Sequence, residues 1–257
     1  MEWLKQRDWG LRRLSFELTK EKFEAFVGAT GFCGTVPMFF DAAGLTVRCL
    51  DESKVIGAVI VFERDWFNGY TPGQSFGVEW KDLKKVSRMK WEKVKVELKG
   101  ESVVFCFEKK KVMVGAVELA GVFTVMSEES VKAMLSFLQG AVWKGAVDLA
   151  GLLGTVEEAE DFSGGKYSLV KLRFGKEMGL FSKAEVRGYE AGVEVFGGEG
   201  KEVEFSYSSE RLKEMLGACS SLARLGTVGV TDKGVLVVKP QAEKVQAIYA
   251  LAPRVEE

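Results

Sequence analysis

Residues 39–62 read FFDAAGLTVRCLDESKVIGAVIVF, and no other stretch limits the fold so sharply. Three apolar, β-rich runs (35–40, 45–50 and 56–63) are separated only by two polar breaks, Asp41-Ala42-Ala43-Gly44 and Asp51-Glu52-Ser53-Lys54. Strands joined this tightly pair as antiparallel neighbours, because a parallel pair needs a long crossover between its members.

The rest of the chain repeats the theme. A short strand at 14–18 runs into a helix capped by Thr19, with Phe23, Phe26 and Val27 at helical spacing. Tyr70 and residues 76–79 frame a strand pair around Thr71-Pro72-Gly73, and a helix over 81–90 carries Leu83, Val86 and Met89. Strands at 94–98, 103–108 and 112–119 close the first half. The second half opens with a strand at 122–126 and a helix capped by Ser127, with Val131, Met134, Leu135 and Leu138 as its apolar stripe. Strands are expected at 147–149, 154–159, 168–174, 183–187 and 193–196, then 202–206, a helix over 208–218, and strands at 227–231, 235–239 and 247–251. Many short strands interrupted by isolated amphipathic helices specify an α+β architecture: antiparallel sheets with helices on one face, in two topologically similar halves, 1–120 and 121–257. A doubly wound parallel fold is excluded, since it needs a helix after nearly every strand.

Composition removes several functions. The chain has no histidine, so serine–histidine and cysteine–histidine nucleophilic sites are ruled out and the commonest metal ligand is missing. Glu157-Glu158, Glu160-Asp161 and Asp51-Glu52 read as solvated turns and strand edges rather than a two-metal nuclease centre. Gly164-Gly165 and Gly197-Gly198-Glu199-Gly200 read as hairpins, because neither carries the lysine of a phosphate-binding loop. The chain is therefore expected to be no enzyme and to need no cofactor or metal. Cys33, Cys49, Cys106 and Cys219 lack CxxC spacing and read as buried free thiols. With no apolar run of about 20 residues and a charged start, this predicts a reducing, cytoplasmic setting (nuclear in a eukaryote) and no membrane partner. A single asparagine, Asn68, among abundant Lys, Glu and Arg suits a thermophile. Formal net charge is −1, from 36 basic and 37 acidic residues, so any grip on DNA has to come from one positive face.

Four motifs in order carry a resemblance: D-x-x-G-L with D-x-S-x-V from Asp41 to Val55, F-G-V-x-x-x-x-L-K-K from Phe76 to Lys85, Y-S-x-E-x-L-K-E-M-L from Tyr207 to Leu216, and L-A-P-R-V-E from Leu251 to Glu256. Together they resemble the proliferating cell nuclear antigen family of DNA sliding clamps, archaeal members most closely. The resemblance implies two clamp domains per subunit and a trimeric ring with helices lining the hole and sheets outside. It implies duplex DNA as a partner, and DNA polymerase, clamp loader, flap endonuclease and DNA ligase as docking clients, with the trimer closed by the same chain or sister subunits. Lys81, Lys84, Lys85 and Arg88 lie at i, i+3, i+4 and i+7, one helical face, and the resemblance turns that face toward the phosphates. Lys20, Lys22, Lys132, Arg211 and Lys213 on the other helices are further candidates for DNA contact. The resemblance also implies an apolar client pocket involving Leu50, Val55, Val235, Leu251, Ala252 and Pro253. Three departures stand out: little room for a long interdomain loop after Lys109-Lys110-Lys111, no proline near Asp232-Lys233-Gly234, and the leading residues 1–13. They suit a divergent paralogue, and an alternative role as a checkpoint or regulatory subunit of a mixed ring with reduced client binding.

Overall fold

The computed structural model describes residues 14–122, 124–163, 169–183 and 188–254. The first half runs β1 (Ser15–Thr19), α1 (Lys20–Ala29), β2 (Thr35–Phe40), β3 (Gly44–Leu50), β4 (Ile56–Glu63), β5 (Asn68–Thr71), β6 (Phe76–Glu79), α2 (Trp80–Ser87), β7 (Lys93–Lys99), β8 (Ser102–Cys106) and β9 (Lys111–Gly115). A connector over 116–142 carries α3 (Glu128–Ser136). The second half runs β10 (Trp143–Asp148), α4 (Leu149–Ser163), β11 (Leu169–Phe174), β12 (Met178–Lys183), β13 (Gly188–Val193), β14 (Val195–Gly200), β15 (Val203–Ser208), α5 (Ser209–Ser220), β16 (Leu225–Val230), β17 (Leu236–Pro240) and β18 (Val245–Leu251). Each half is thus strand, helix, five strands, helix, three strands: the α+β duplication the sequence anticipates.

Pairing is antiparallel throughout. The sheets run β5-β1-β7-β8-β9, β14-β10-β16-β17-β18-β4-β3-β2-β6 and β13-β12-β11-β15. The nine-stranded sheet crosses from one half to the other where β18 pairs with β4, from Val245 opposite Phe62 to Leu251 opposite Ile56.

The 39–62 signature resolves into the three expected strands, and its turns are held by aspartates. Asp41 Oδ1 accepts from Ala43 N at 2.8 Å and Gly44 N at 3.1 Å. Gly44 has φ of 149°, and a Cβ there would lie 2.1 Å from Phe62 O, so only glycine fits. Asp51, buried, accepts from Val55 N at 2.6 Å and Ile56 N at 2.8 Å, and Ser53 donates to it as well.

Several expectations need correction. Residues 154–159 are the middle of α4, not a strand. Asp148 accepts from Ala150 N and Gly151 N at 3.1 Å, starting that helix, and Leu149, Leu152, Val156 and Ala159 form its buried stripe. The Gly151 and Gly154 pair hid this periodicity. The Glu157-Glu158 and Glu160-Asp161 clusters are accordingly helical, not turns. β5 and β6 belong to different sheets, β5 beside β1 and β6 beside β2, so they form no pair. Among the described residues of 122–126 there is a single bridge, Val125 to Cys49, because β3 outruns β2 and leaves a short open edge. Gly197-Gly198-Glu199-Gly200 lies within β14, where Gly197 and Gly200 adopt φ of 66° and 127° beside an irregular register with β10, rather than in a hairpin loop. α2 ends at Ser87, shorter than expected. Residues 1–13, Phe123, 164–168 (with Gly164-Gly165), 184–187 and 255–257 lie outside the described residues.

Candidate functional site

Four helices form a row. α2 packs on α1, α1 on α5, and α5 on α4, so the row spans both halves of the chain. Its midpoint is close: a Cβ on Gly28 of α1 would stand 2.6 Å from Ser221 Cβ, just past α5. Phe23, Phe26, Leu83, Val86, Leu152, Val156, Leu212 and Met215 point from the row into the sheets.

The polar side of the row is uneven in charge. On α2, Lys81 is 3.8 Å from Glu79 and Lys85 is 2.9 Å from Asp82. Lys84 Nζ lies 4.5 Å from the centre of the Trp80 ring, whose Nε1 donates to Val27 O at 2.8 Å. Arg88, at the helix end, is exposed and makes no ion pair among the described residues. On α1, Lys20 donates to Met89 O at 3.0 Å and pairs with Glu24, and Lys22 donates to Trp66 O. On α5, Arg211 pairs with Glu214 at 2.7 Å and stands 3.7 Å from Asp51, while Lys213 pairs with the buried Glu160 of α4. α4 itself carries four acids and no basic residue. The positive charge therefore concentrates at the α2 end.

The opposite face of the large sheet has a second surface. β18 alternates: Ala247, Tyr249 and Leu251 belong to the helix-side core, whereas Ile248 and Ala250 join Val59 of β4 and Val237 of β17 on the outer side. Tyr249 makes the inner side firm, its hydroxyl donating to Ala29 O at 3.0 Å. On the outer side lies α3. Met126 and Met134 are buried against the four outer residues, and Val131, Phe137 and Leu138 are partly buried with Leu50 and Val235. The connector is anchored by Leu50 N to Thr124 O at 2.8 Å and Met126 N to Arg48 O at 3.3 Å.

Solved structures share this fold over nearly the whole chain. Proliferating cellular nuclear antigen from Entamoeba histolytica matches with a TM-score of 0.76 at 17% identity, covering 95% of this chain and 98% of that one. The structure of A. fulgidus PCNA with the C-terminal region of FEN-1 bound matches at 0.77 and 18%, covering 95% and 99%. The fold is that of a PCNA-type sliding clamp. The PCNA2–PCNA3 complex from Sulfolobus tokodaii agrees at 0.73 and 15%, covering 95% and 100%. No protein-family model and no curated protein sequence matches the chain.

In this clamp fold, Lys81, Lys84, Lys85, Arg88, Lys20, Lys22, Arg211 and Lys213 all stand on or at the ends of the helix row. Lys132 does not. It is on α3, across the sheet from the row, because the stripe Val131–Met134–Leu138 packs on the outer face rather than the inner one. The expected pocket residues come together only in part. Leu50 and Val235 border α3, and Ala252 N donates to Val55 O at 3.0 Å, joining the signature to the tail. Leu251 is wholly buried and faces the helix-side core, as does the packing of Val55, so neither lines an outer groove. Ala252 is exposed and Pro253 half-buried. The connector is not missing either: residues 116–142 fill it, folded onto the sheet instead of looping free. The expected α3 stripe holds at Val131, Met134 and Leu138 but not at Leu135, which is exposed; the sequence did not show which side the stripe covers, and it missed Met126, whose only signal is its place next to the Ser127 cap. Among the described residues no cluster of three or more His, Cys, Asp or Glu is placed to hold a metal, and no helix is long and apolar enough to cross a membrane.

Proposed function

We propose that the chain is a subunit of a trimeric DNA sliding clamp. Its two domains, dividing at residue 120, place the helix row around duplex DNA. The ring serves as a non-enzymatic processivity factor and docks polymerase, clamp loader, flap endonuclease and ligase.

The observation that carries this reading is the duplicated seam. In the repeat, β9 is the counterpart of β18 and β13 the counterpart of β4. β18 and β4 pair inside the chain, whereas β9 and β13 are the outer edges of their sheets. Pairing β9 of one copy with β13 of the next repeats the seam head to tail and continues the helix row around a closed ring. Antiparallel docking sets the start of β9, which follows Lys109 and Lys110 and begins at Lys111, against the end of β13, which Glu194 directly follows, with Glu190 further back at mid-strand. The edges are therefore complementary in charge within this one sequence.

Arg88, Lys84, Lys85 and Lys81 supply the main phosphate contacts, non-specific and compatible with sliding. Lys20, Lys22, Arg211 and Lys213 add a smaller share, and Lys132 none. Mass measurement of the purified chain, alone and with sister subunits, tests the ring: a trimer alone supports it, and a chain that stays monomeric in every mixture overturns it.

The second reading, a regulatory subunit of a mixed ring with reduced client binding, draws its support from α3, which sits over the outer groove. Absence of client-peptide binding in the assembled ring would favour it over the docking platform.

A further inference from the structure

The outer strip of Val59, Val237, Ile248 and Ala250 is apolar, and all four residues are buried in one cluster with Met126 and Met134 of the connector. What covers them is slight. α3 has nine residues, a length at which an isolated helix is marginal in water. It depends on its seat, to which it commits one buried side chain, Met134. Its outward Leu135 is 53% exposed. The helix is nevertheless well formed locally, with Ser127 Oγ accepting from Ser130 N at 3.2 Å and Glu128 and Glu129 in its first turn. At the foot of the connector the fit is imperfect. Arg48 Nε and Thr124 Oγ1 are two of the three buried side-chain polar atoms without a hydrogen-bond partner among the described residues. A buried orphan of this kind works against the docked state. Met126 and Met134 also reach the space above Gly57: a Cβ there would be 3.0 Å from Met126 Cε and 3.8 Å from Met134 Sδ. Methionines make an adaptable contact that repacks readily.

We propose that α3 is a displaceable plug, occupying in cis the groove that a client's amphipathic helical turn would take in trans. The inference rests on the client-docking reading above and adds its regulation. Docked, α3 shields Leu50, Val235, Ile248 and Ala250. Released, it exposes an apolar strip that a peptide with aliphatic or aromatic anchors on one helical face fits. Apparent affinity then falls by the fraction of molecules in which the groove is open.

The experiment compares the full chain with the double variant Val131→Asp/Met134→Asp and with a second variant in which residues 127–138 are replaced by a glycine–serine linker of equal length. The probe is a fluorescent peptide of the FEN-1 C-terminal region, followed by anisotropy. Amide hydrogen exchange reports release of α3 in the double variant and fold integrity in both variants. The expected result is peptide affinity about tenfold or more tighter in both variants than in the unaltered chain, with a trans peptide of residues 126–139 competing for the opened groove. Equal affinity in all three proteins overturns the plug and leaves the groove as a client site. No binding to any of them, with α3 shown to be released, overturns the docking reading and the plug with it.

Discussion

Replacing Arg88 with alanine should weaken DNA binding more than any other single neutralisation on the helix row. The reason is what each cation already faces. Lys85 is 2.9 Å from Asp82, and Lys213 is paired with the buried Glu160. Arg88 is exposed and makes no ion pair among the described residues. A cation held by a carboxylate brings its own counter-charge to the phosphates and releases fewer ions when it docks. Each phosphate neutralised adds about 0.9 to the slope of log K against log salt, so removing one cation from every subunit of a trimer flattens that slope by up to about 2.7. Lys85→Ala should flatten it by less, and Lys213→Ala hardly at all. Fluorescence anisotropy on a labelled linear duplex, titrated between about 50 and 200 mM salt, measures the slopes; melting temperatures run alongside distinguish a weaker grip on DNA from a damaged fold. Wild-type slope in Arg88→Ala, or a larger change in Lys213→Ala than in Arg88→Ala, refutes the one-sided wall.

Three further outcomes are expected. The double reversal Lys85→Glu/Arg88→Glu should cut clamp-stimulated polymerase synthesis while leaving the melting temperature unchanged; full stimulation would remove α2 from the DNA path. Gly28→Val should push against Ser221, since even a Cβ would meet Ser221 Cβ at 2.6 Å; overpacking of this kind costs about 1–3 kcal/mol, and at about 2–4 °C per kcal/mol calorimetry should show the drop, partly recovered by adding Ser221→Gly. Alkali should destabilise the fold: burial pushes Tyr70 up to about 12 and raises Cys33, Cys219, Tyr207 and Tyr249 as well. These groups stay neutral when folded, so their contribution is complete below the unfolded values of about 8.5 for Cys and about 10 for Tyr and is lost as pH climbs through the raised folded values. A melting temperature that stays level from neutral pH to about 11 would contradict this.

The first half was legible because its signals are local. Asp41, Gly44 and Asp51 act through bonds to residues a few positions away, and those spacings are visible in one dimension. Thr19 and Ser127 announced α1 and α3 for the same reason. α4 escaped because Gly151 and Gly154 lower helix propensity and its cap, Asp148, shares its work with Arg224. The destination of α3 escaped for a different reason. An apolar stripe says that a helix must cover something, but not which face of a sheet it covers. Only β18, apolar on both faces at 247–251, hinted that two layers compete for it. Likewise Lys213 and Arg211 read as free cations until Glu160 and Asp51 are brought beside them by the tertiary fold, although Glu214, three residues on from Arg211 in α5, is a local partner.

The unmatched edges β9 and β13 give the isolated chain a polarity, one donor end and one receptor end. Such a unit is a monomer in the polymer chemist's sense. Whether it yields a ring or an endless thread depends only on the rotation per step. If that rotation closes, the last seam forms between ends already tethered to each other, at an effective concentration far above that of free chains. The lysines at 109–111 then act twice. They discourage stray strands from adding to an open edge, and they are quenched only when the correct acidic edge arrives. On the proposed ring, the hazard of an uncapped sheet and the means of assembly are the same few residues.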